Sequence, residues 1–289
     1  MAPTPLPLPV FTSAPDLVPL NREQSAALAD ALPVEPWYTI PYSGLHRGLD
    51  RAFVRGPPSA PTAVVSEHLG SPGEPEFWGP DAEAGWSILS RLPGWFCLNG
   101  PATDLAPFRQ IFAREVPSPF RDLGDLFYTL ESAVILHAHP GVRMLTVTDA
   151  PLVQGYPAYV WGNSYRTYEE LLTDGAVAGA IVDERLVAVA VLSASSPKYA
   201  DIGVHTLEPF RGRGLSAAAA SLVAAEVKAR GLVPVWSTGS HNLASQRVAE
   251  KVGFRPVEGG LYLVSDQLKE RGGYRPGQGR NTHAAMQTP

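Results

Sequence analysis

Apolar and polar residues alternate in short runs along this chain, and the runs predict strands separated by helices. In the strand-like runs β-branched residues recur at every second position, as Ile202, Val204 and Thr206 do. In the helical runs apolar residues recur every three or four positions. From residue 141 onward the patterns predict a strand (142–147), helices (from 148, and 168–172), a hairpin (177–182 and 185–193), a strand (200–206), a helix (215–223), a strand (233–237) and a helix (244–252). Such alternation is typical of α/β and α+β folds.

The first half of the chain carries shorter patterns of the same kind. They predict a helix at 22–32 capped by Asn21, strands at 51–55, 62–66 and 95–98, a helix through 85–89, and another from Thr103 or Asp104 to Phe112. Alternating prolines at positions 3 to 9 favour an extended arm, and the residues from Gly272 onward are polar. We therefore expect a proline-rich arm (1–20), an N-terminal α/β domain (21–140), a second α/β domain (141–265) and a polar tail (266–289).

The turn between the strand at 200–206 and the helix that begins at Leu215 has the composition of an anion site. It combines two arginines with two glycines: Arg211, Gly212, Arg213 and Gly214. The first N–H groups of a helix have no partner inside the helix and lie at the positive end of its dipole. Glycines let a phosphate approach those groups, and arginine side chains add charge beside them. The turn therefore predicts a phosphate site, with a simple capping turn as the alternative.

Residues 206–216 read Thr-Leu-Glu-Pro-Phe-Arg-Gly-Arg-Gly-Leu-Ser, which resembles the coenzyme A pyrophosphate loop of the GNAT superfamily of N-acyltransferases. Residues 242–254, from Asn242 to Phe254, resemble the helix that follows this loop in the same family. The resemblance covers about residues 141–265 and implies a mixed central sheet flanked by helices. The smaller N-terminal α/β domain shows no second phosphate loop. Its role is either structural and substrate-shaping, or it is a degenerate GNAT-like half.

The resemblance also implies acetyl-CoA as co-substrate, with no metal. The residues expected to bind it are Val204, His205, Thr206, Arg211, Gly212, Arg213, Gly214, Leu215, Ser216 and Asn242. In the family the pantetheine arm pairs with the backbone of the strand that ends here at Thr206, which requires the strand at 233–237 to splay away. A backbone N–H from residues 204–206 would stabilise the charge that develops on the thioester oxygen when an amine attacks.

An attacking alkyl amine carries a proton at neutral pH, since its reference pKa is about 10.4, and a base has to remove that proton. Asp201 is the first candidate because family members place an acidic residue near this point. His205 lies two pleats along on the same face and is the second candidate. An ordinary strand-end carboxylate and a packed histidine are the alternative roles. Many family members protonate the departing thiolate with a tyrosine whose position is occupied here by Ala249, so the general acid is unassigned.

The expected reaction is transfer of an acetyl group from acetyl-CoA to a primary amine of a small molecule or peptide, by direct attack in a ternary complex. A second interpretation is transfer of a longer or aryl acyl group to an amino acid. Two-part acyltransferases of that kind share the Pro-Val-x-Ser strand found within residues 233–237. A third interpretation, suggested by Ala249, is a protein that binds coenzyme A without catalysing transfer.

The composition of the chain limits the class of protein to which it can belong. A chain of 289 residues, 45% of them hydrophobic, is long enough for two domains or one large one. Its net charge of −5 and isoelectric point near 5.8 argue against a nucleic-acid partner. The single cysteine, Cys97, excludes an intramolecular disulfide and favours a reducing cytoplasm. We expect neither a secretory signal nor a membrane span, and no metal at His137 and His139, which lack a third ligand. The acceptor and the oligomeric state are not indicated.

Overall fold

The computed structural model describes residues 17–157, 160, 165–257 and 259–276. Most of the predicted proline-rich arm and the end of the predicted polar tail lie outside these described residues. Within them the chain forms two compact units. Unit 1 comprises Leu32–Arg47 and Leu126–Glu258, and unit 2 comprises Pro9–Ala31, Gly48–Asp125 and Gly259–Pro289, each as far as it is described.

Helices and strands alternate in both units. The helices are α1 (Arg22–Ala31), α2 (Thr39–Arg47), α3 (Ala82–Leu89), α4 (Ala102–Leu105), α5 (Phe108–Glu115), α6 (Ala150–Gln154), α7 (Tyr168–Asp174), α8 (Leu215–Ala229), α9 (Leu243–Val252) and α10 (Asp266–Glu270). The strands are β1 (Asp50–Arg55), β2 (Ala63–His68), β3 (Glu76–Trp78), β4 (Cys97–Pro101), β5 (Arg121–Thr129), β6 (Val142–Met144), β7 (Val177–Val182), β8 (Arg185–Ser195), β9 (Tyr199–Thr206), β10 (Val233–Gly239), β11 (Arg255–Pro256) and β12 (Gly260–Val264). No described helix is long and apolar enough to cross a membrane.

Unit 1 is built on a mixed sheet. Its strand order is β5-β10-β9-β8-β7-β6, where β5 contributes its residues from Leu126 on. Strands β7, β8 and β9 form an antiparallel meander, and β10 runs parallel to β9. Helix α8 packs Ala219 and Val223 against Ala200 and Ile202 on one face of β9. Helices α6 and α7 cover the other face of β8, so the expected mixed sheet flanked by helices is confirmed.

Local sequence signals begin and end the two helices beside the expected site. Alanine, which has the highest helix propensity, supplies seven of the fifteen residues of α8. The helix starts after Gly214, whose φ is 80°, and stops before Gly231, whose φ is 78°. Asn242 caps α9 by accepting a hydrogen bond from the Ser245 N–H at 3.2 Å. Gly253, with a φ of 109°, ends that helix in the left-handed conformation that glycine favours.

Unit 2 repeats the same succession of elements on a smaller scale. Its strand order is β1-β2-β3-β4-β12-β5, where β5 contributes its residues up to Asp125. Strands β1, β2 and β3 are antiparallel, helix α3 follows, and β4 then pairs parallel to β3 at Glu76 and Asn99. Phe53, Val65 and Phe77 form a buried aromatic and aliphatic core under α3 and α5. The N-terminal α/β architecture expected from the sequence is therefore present.

Four details differ from the sequence-based expectations. The first part of the predicted polar tail forms α10, and Leu268 and Tyr274 are buried in the core of unit 2. The single helix predicted from Thr103 to Phe112 is divided into α4 and α5, because Pro107 lacks an N–H and its ring would clash with the preceding helical turn. Helix α2 contains Pro41 and Gly44, which weaken a helical pattern, and it was not predicted. The unit boundaries also differ from the predicted domains, since α2 belongs to unit 1 and β12 belongs to unit 2.

Candidate functional site

The turn before α8 exposes the start of the helix. Gly212 and Gly214 have φ values of 77° and 80°, and a Cβ built on either would meet nothing within 4 Å. Gly214 is the N-cap of α8 and offers no side chain to bond the first N–H groups. Two hydroxyls, Thr206 Oγ1 and Ser216 Oγ, lie 2.6 Å apart and tie the end of β9 to the first turn of α8. The start of α8 is therefore open to an anion.

A cleft of about 550 Å³ opens at this helix start. All ten residues predicted to bind the co-substrate line it: Val204, His205, Thr206, Arg211, Gly212, Arg213, Gly214, Leu215, Ser216 and Asn242. Helix α9 adds Arg247 and Lys251 to the lining, so four cationic side chains surround the cleft. Sequence reasoning missed these two, although Ala244, Arg247, Val248 and Lys251 recur at helical spacing on one face of α9.

Both turn arginines are held by backbone carbonyls. Arg211 Nε donates to Thr206 O at 3.2 Å, and Arg213 Nη2 donates to Pro209 O at 3.1 Å. The Arg213 guanidinium also lies 5.1 Å from the centre of the Phe210 ring. These contacts hold the two guanidinium groups beside the open amides of α8, where a diphosphate can contact the amides and the guanidinium groups together.

Strands β9 and β10 separate inside unit 1. Their parallel register begins at Tyr199 and Val233 and ends at Asp201 and Val235. Beyond that point β9 continues to Thr206 and β10 continues to Gly239 without further pairing. The expected splay is therefore present, and the β10 side of residues 202–206 is left open to an extended ligand.

Asp201 lies at the point where the two strands separate. Its side chain is buried, and the Ser193 hydroxyl contacts its Oδ2, while Ser237 Oγ donates to its Oδ1 at 3.5 Å. Burial raises the pKa of Asp201 to about 6, and the two serine hydroxyls offset part of that rise. Asp201 does not line the cleft.

His205 lines the cleft and bonds to a residue that the sequence did not point to. Its Nδ1 lies 2.7 Å from the hydroxyl of Tyr156, which also donates to the His205 carbonyl oxygen at 3.3 Å. The tautomer of His205 decides which of these two atoms donates in the 2.7 Å contact. Burial, together with the charge of Arg211, lowers the pKa of His205, so the ring is neutral at pH 7.

The position that corresponds to the proton-donating tyrosine of the GNAT family is buried in this chain. Ala249 is fully buried in the core between α8 and α9, together with Val252 and Phe254. A methyl group there can neither donate nor accept a proton. Among the described residues no cluster of three or more His, Cys, Asp or Glu side chains could hold a metal ion.

Part of unit 1 matches the sequence model of a protein family. The family model of GNAT acetyltransferases matches residues 154–259, which include the turn, the cleft and α9. No curated protein matches the chain in sequence.

Solved structures share the fold over most of the chain. A Drosophila protein gives a TM-score of 0.61 at 17% identity, covering 88% of this chain and 99% of that one. A GCN5-related N-acetyltransferase-like protein from Streptococcus suis gives 0.60 at 19% identity, covering 84% and 98%. A tandem GNAT protein from the clavulanic acid biosynthesis pathway gives 0.51 at 13% identity, covering 86% and 97%. At these identities the likeness shows the fold alone.

Proposed function

We propose that this chain, whose residues 154–259 match the GNAT acetyltransferase family model, transfers an acetyl group from acetyl-CoA to a primary amine of a small molecule or peptide. The observation that carries the proposal is the cleft at the start of α8. Ten residues chosen from sequence alone line it together, and both glycines leave room where a phosphate would lie. The residues present therefore fit the co-substrate that the family implies.

Each part of the cleft suits one part of coenzyme A. The backbone amides of residues 212–216, with Arg211 and Arg213, would hold the diphosphate. Arg247 and Lys251 add charge for the remaining phosphate, and Asn242 lies at the start of the same helix. The unpaired edge of β9 would bond the pantetheine amides as a neighbouring strand does.

Acetyl-CoA supplies a thioester that a neutral amine can attack. We propose His205 as the group that takes the proton from the amine, because it lines the cleft and its pKa is lowered. Tyr156 fixes the ring orientation through Nδ1. Asp201 is the alternative base, since its pKa of about 6 leaves it mostly ionised at neutral pH.

The choice between the two bases can be tested by comparing His205→Gln with Asp201→Asn in a steady-state assay of thiol release. Loss of general-base catalysis typically lowers kcat by 100-fold or more. We expect that loss in His205→Gln, with an unchanged KM for acetyl-CoA. A large loss confined to Asp201→Asn would assign the base to Asp201 instead.

The acceptor can be found with a screen of thiol release across polyamines, amino acids, aminoglycosides and peptide N-termini. Turnover above the rate of hydrolysis with one of these classes would support the proposal. Faster turnover with benzoyl-CoA than with acetyl-CoA would favour the longer-acyl alternative. Tight binding of coenzyme A without release of thiol for any amine would favour the non-catalytic alternative. We place the enzyme in the cytoplasm, where its free, buried Cys97 stays reduced.

We further propose that unit 2 is a second GNAT-like half that has lost its phosphate site. It has the same succession of meander, helix, parallel strand and helix as unit 1. Where unit 1 has an open turn, Asp81 Oδ1 accepts from the Ala84 N–H at 2.9 Å and closes the start of α3. A Cβ at Gly79 would lie 2.6 Å from Thr62 O, so the backbone just before β2 packs closely against this turn. A tandem GNAT protein is among the structures that share the fold.

A further inference from the structure

Gly203 is a glycine in the middle of β9 that neither the backbone nor the packing requires. Its φ lies outside the left-handed region that favours glycine, and the bulge between β8 and β9 lies at Leu192 and Ala194 on β8. A Cβ built on Gly203 would lie 3.5 Å from Val191 Cγ1 and 3.9 Å from Ser193 Cβ, which is ordinary van der Waals contact. Glycine weakens the interior of a strand, and it often marks a place where a ligand approaches the backbone closely.

The space over Gly203 is open among the described residues. Because side chains alternate along a strand, Asp201, Gly203 and His205 share the face of β9 that is turned away from α8. Helices α6 and α7 cover the neighbouring strand β8 on that face. Within 4 Å of a Cβ at Gly203, the described part of the chain places only two side chains of β8. We call this space the Gly203 recess; its floor is Gly203 and its sides are Asp201, His205 and Ser193.

The Gly203 recess lies beside the edge of β9 that we propose for the pantetheine arm. The pairing of β9 with β10 ends at Asp201, so Gly203 is the second residue of the unpaired part of β9. Successive residues of a strand rise by about 3.3 Å, so Asp201 and His205 each lie roughly 7 Å from Gly203 along the strand. An amine bound over Gly203 therefore has one candidate base on each side and the open edge of β9 next to it.

The charges around the Gly203 recess are unequal. Asp201 is mostly ionised at neutral pH, and the hydroxyls of two serines contact its two oxygens. His205 is neutral at that pH, because burial and the charge of Arg211 lower its pKa. The Arg211 guanidinium is itself held in the phosphate turn, where its Nε donates to Thr206 O at 3.2 Å. A carboxylate placed beside Asp201 would be repelled, whereas a neutral or positive group would not.

We propose that the Gly203 recess binds the acceptor and selects a primary amine whose adjoining carbon carries no carboxylate. The end of a polyamine, an aminoglycoside amine and a lysine side chain belong to this class, and the α-amine of a free amino acid does not. This inference rests on the proposed function. In the transfer the amine nitrogen bonds to the acetyl carbon, the C–S bond breaks with its electron pair on sulfur, and the amine proton passes to His205 or Asp201.

Steady-state thiol release from acetyl-CoA tests the position of the acceptor, with spermidine, kanamycin, Nα-acetyl-lysine, ethanolamine and glycine as amines. For the amine with the highest turnover, Gly203→Ala should lower kcat/KM by tenfold or more, and Gly203→Val should lower it further, because the new side chain fills the recess. The KM for acetyl-CoA should change less than twofold. The Tm of Gly203→Ala should be no lower than that of the wild type, since alanine loses less entropy on folding.

Gly124→Ala is the matched control. Gly124 also lies inside a strand, β5, with a φ outside the left-handed region, and it belongs to unit 2. This variant should change kcat/KM for the same amine less than twofold. Thermal unfolding shows whether each variant is folded.

Ethanolamine and glycine test the selection by charge, because they are similar in size and amine basicity and differ in the carboxylate. The wild type should prefer ethanolamine by tenfold or more in kcat/KM. In Asp201→Asn that preference should fall below threefold, because the repelling charge is removed. The ratio of the two amines is the readout, so a loss of rate in both does not affect it.

The proposal is overturned if Gly203→Ala keeps the wild-type kcat/KM for the amine, if glycine reacts as fast as ethanolamine, or if Asp201→Asn leaves their ratio unchanged. In those cases the wild type still transfers acetyl groups, and the proposed function stands without this acceptor site. Absence of turnover with every amine overturns both, and the Tm shift with acetyl-CoA then reports separately whether the coenzyme cleft binds its ligand.

Discussion

Gly214 and Gly231 lie at opposite ends of α8 and form a matched pair for testing the coenzyme cleft. Their φ values are 80° and 78°, and a Cβ at either position would meet nothing within 4 Å. Alanine in this left-handed conformation costs about 1 to 2 kcal/mol of unfolding free energy at either site. Gly214→Ala and Gly231→Ala should therefore lower the Tm by similar amounts, about 2 to 4 °C for each kcal/mol.

The two variants differ in what the new methyl group faces. At Gly214 it enters the cleft where the diphosphate would approach the first amides of α8, whereas Gly231 does not line the cleft. A ligand at 100 times its Kd stabilises a protein by about 2.7 kcal/mol. Differential scanning calorimetry with acetyl-CoA should show that stabilisation in the wild type and in Gly231→Ala. Gly214→Ala should show less than half of it.

The reasoning is refuted if Gly214→Ala keeps a ligand-induced Tm shift as large as that of Gly231→Ala. Equal loss of the shift in both variants would refute it as well, because strain in α8 rather than the open turn would then control binding. Replacing both Gly212 and Gly214 with bulkier residues should abolish the shift completely.

Three further predictions concern buried groups. The pKa of Asp201 is raised to about 6 in the folded protein, so the Asp201 carboxyl contributes its full stability below about pH 4 and loses it as the pH rises through 6. In urea titrations over that pH range, the unfolding free energy of the wild type relative to Asp201→Asn should therefore fall by about 2 to 3 kcal/mol. Tyr156→Phe should lower kcat about tenfold at constant KM for acetyl-CoA and shift the acid limb of the pH profile, whereas a structural role would leave that limb in place. Burial raises the pKa of the Cys97 thiol, so an alkylating reagent should label it only after denaturation, and rapid labelling of the native chain would contradict this.

The coenzyme cleft is the part that the sequence predicts best, because its signals are local. The strand to Thr206, the glycine turn and the start of α8 are consecutive, and each follows from residue types within a few positions. Asn242 and Gly253 mark the ends of α9 in the same way. Such signals act over a few residues and do not depend on the rest of the fold.

Contacts between distant segments could not be predicted in this way. Tyr156 and His205 are 49 residues apart, and only the packing of α6 against the sheet brings them together. The sheet of unit 2 likewise joins strands from β1 to β12, whose pairing no local pattern reveals.

A crystal structure with coenzyme A soaked in tests the central claim most directly. We expect the diphosphate at hydrogen-bond distance, about 3 Å, from the backbone nitrogens of residues 212–216, with the pantetheine arm along the open edge of β9. A nucleotide bound at any other place on the chain would contradict the account.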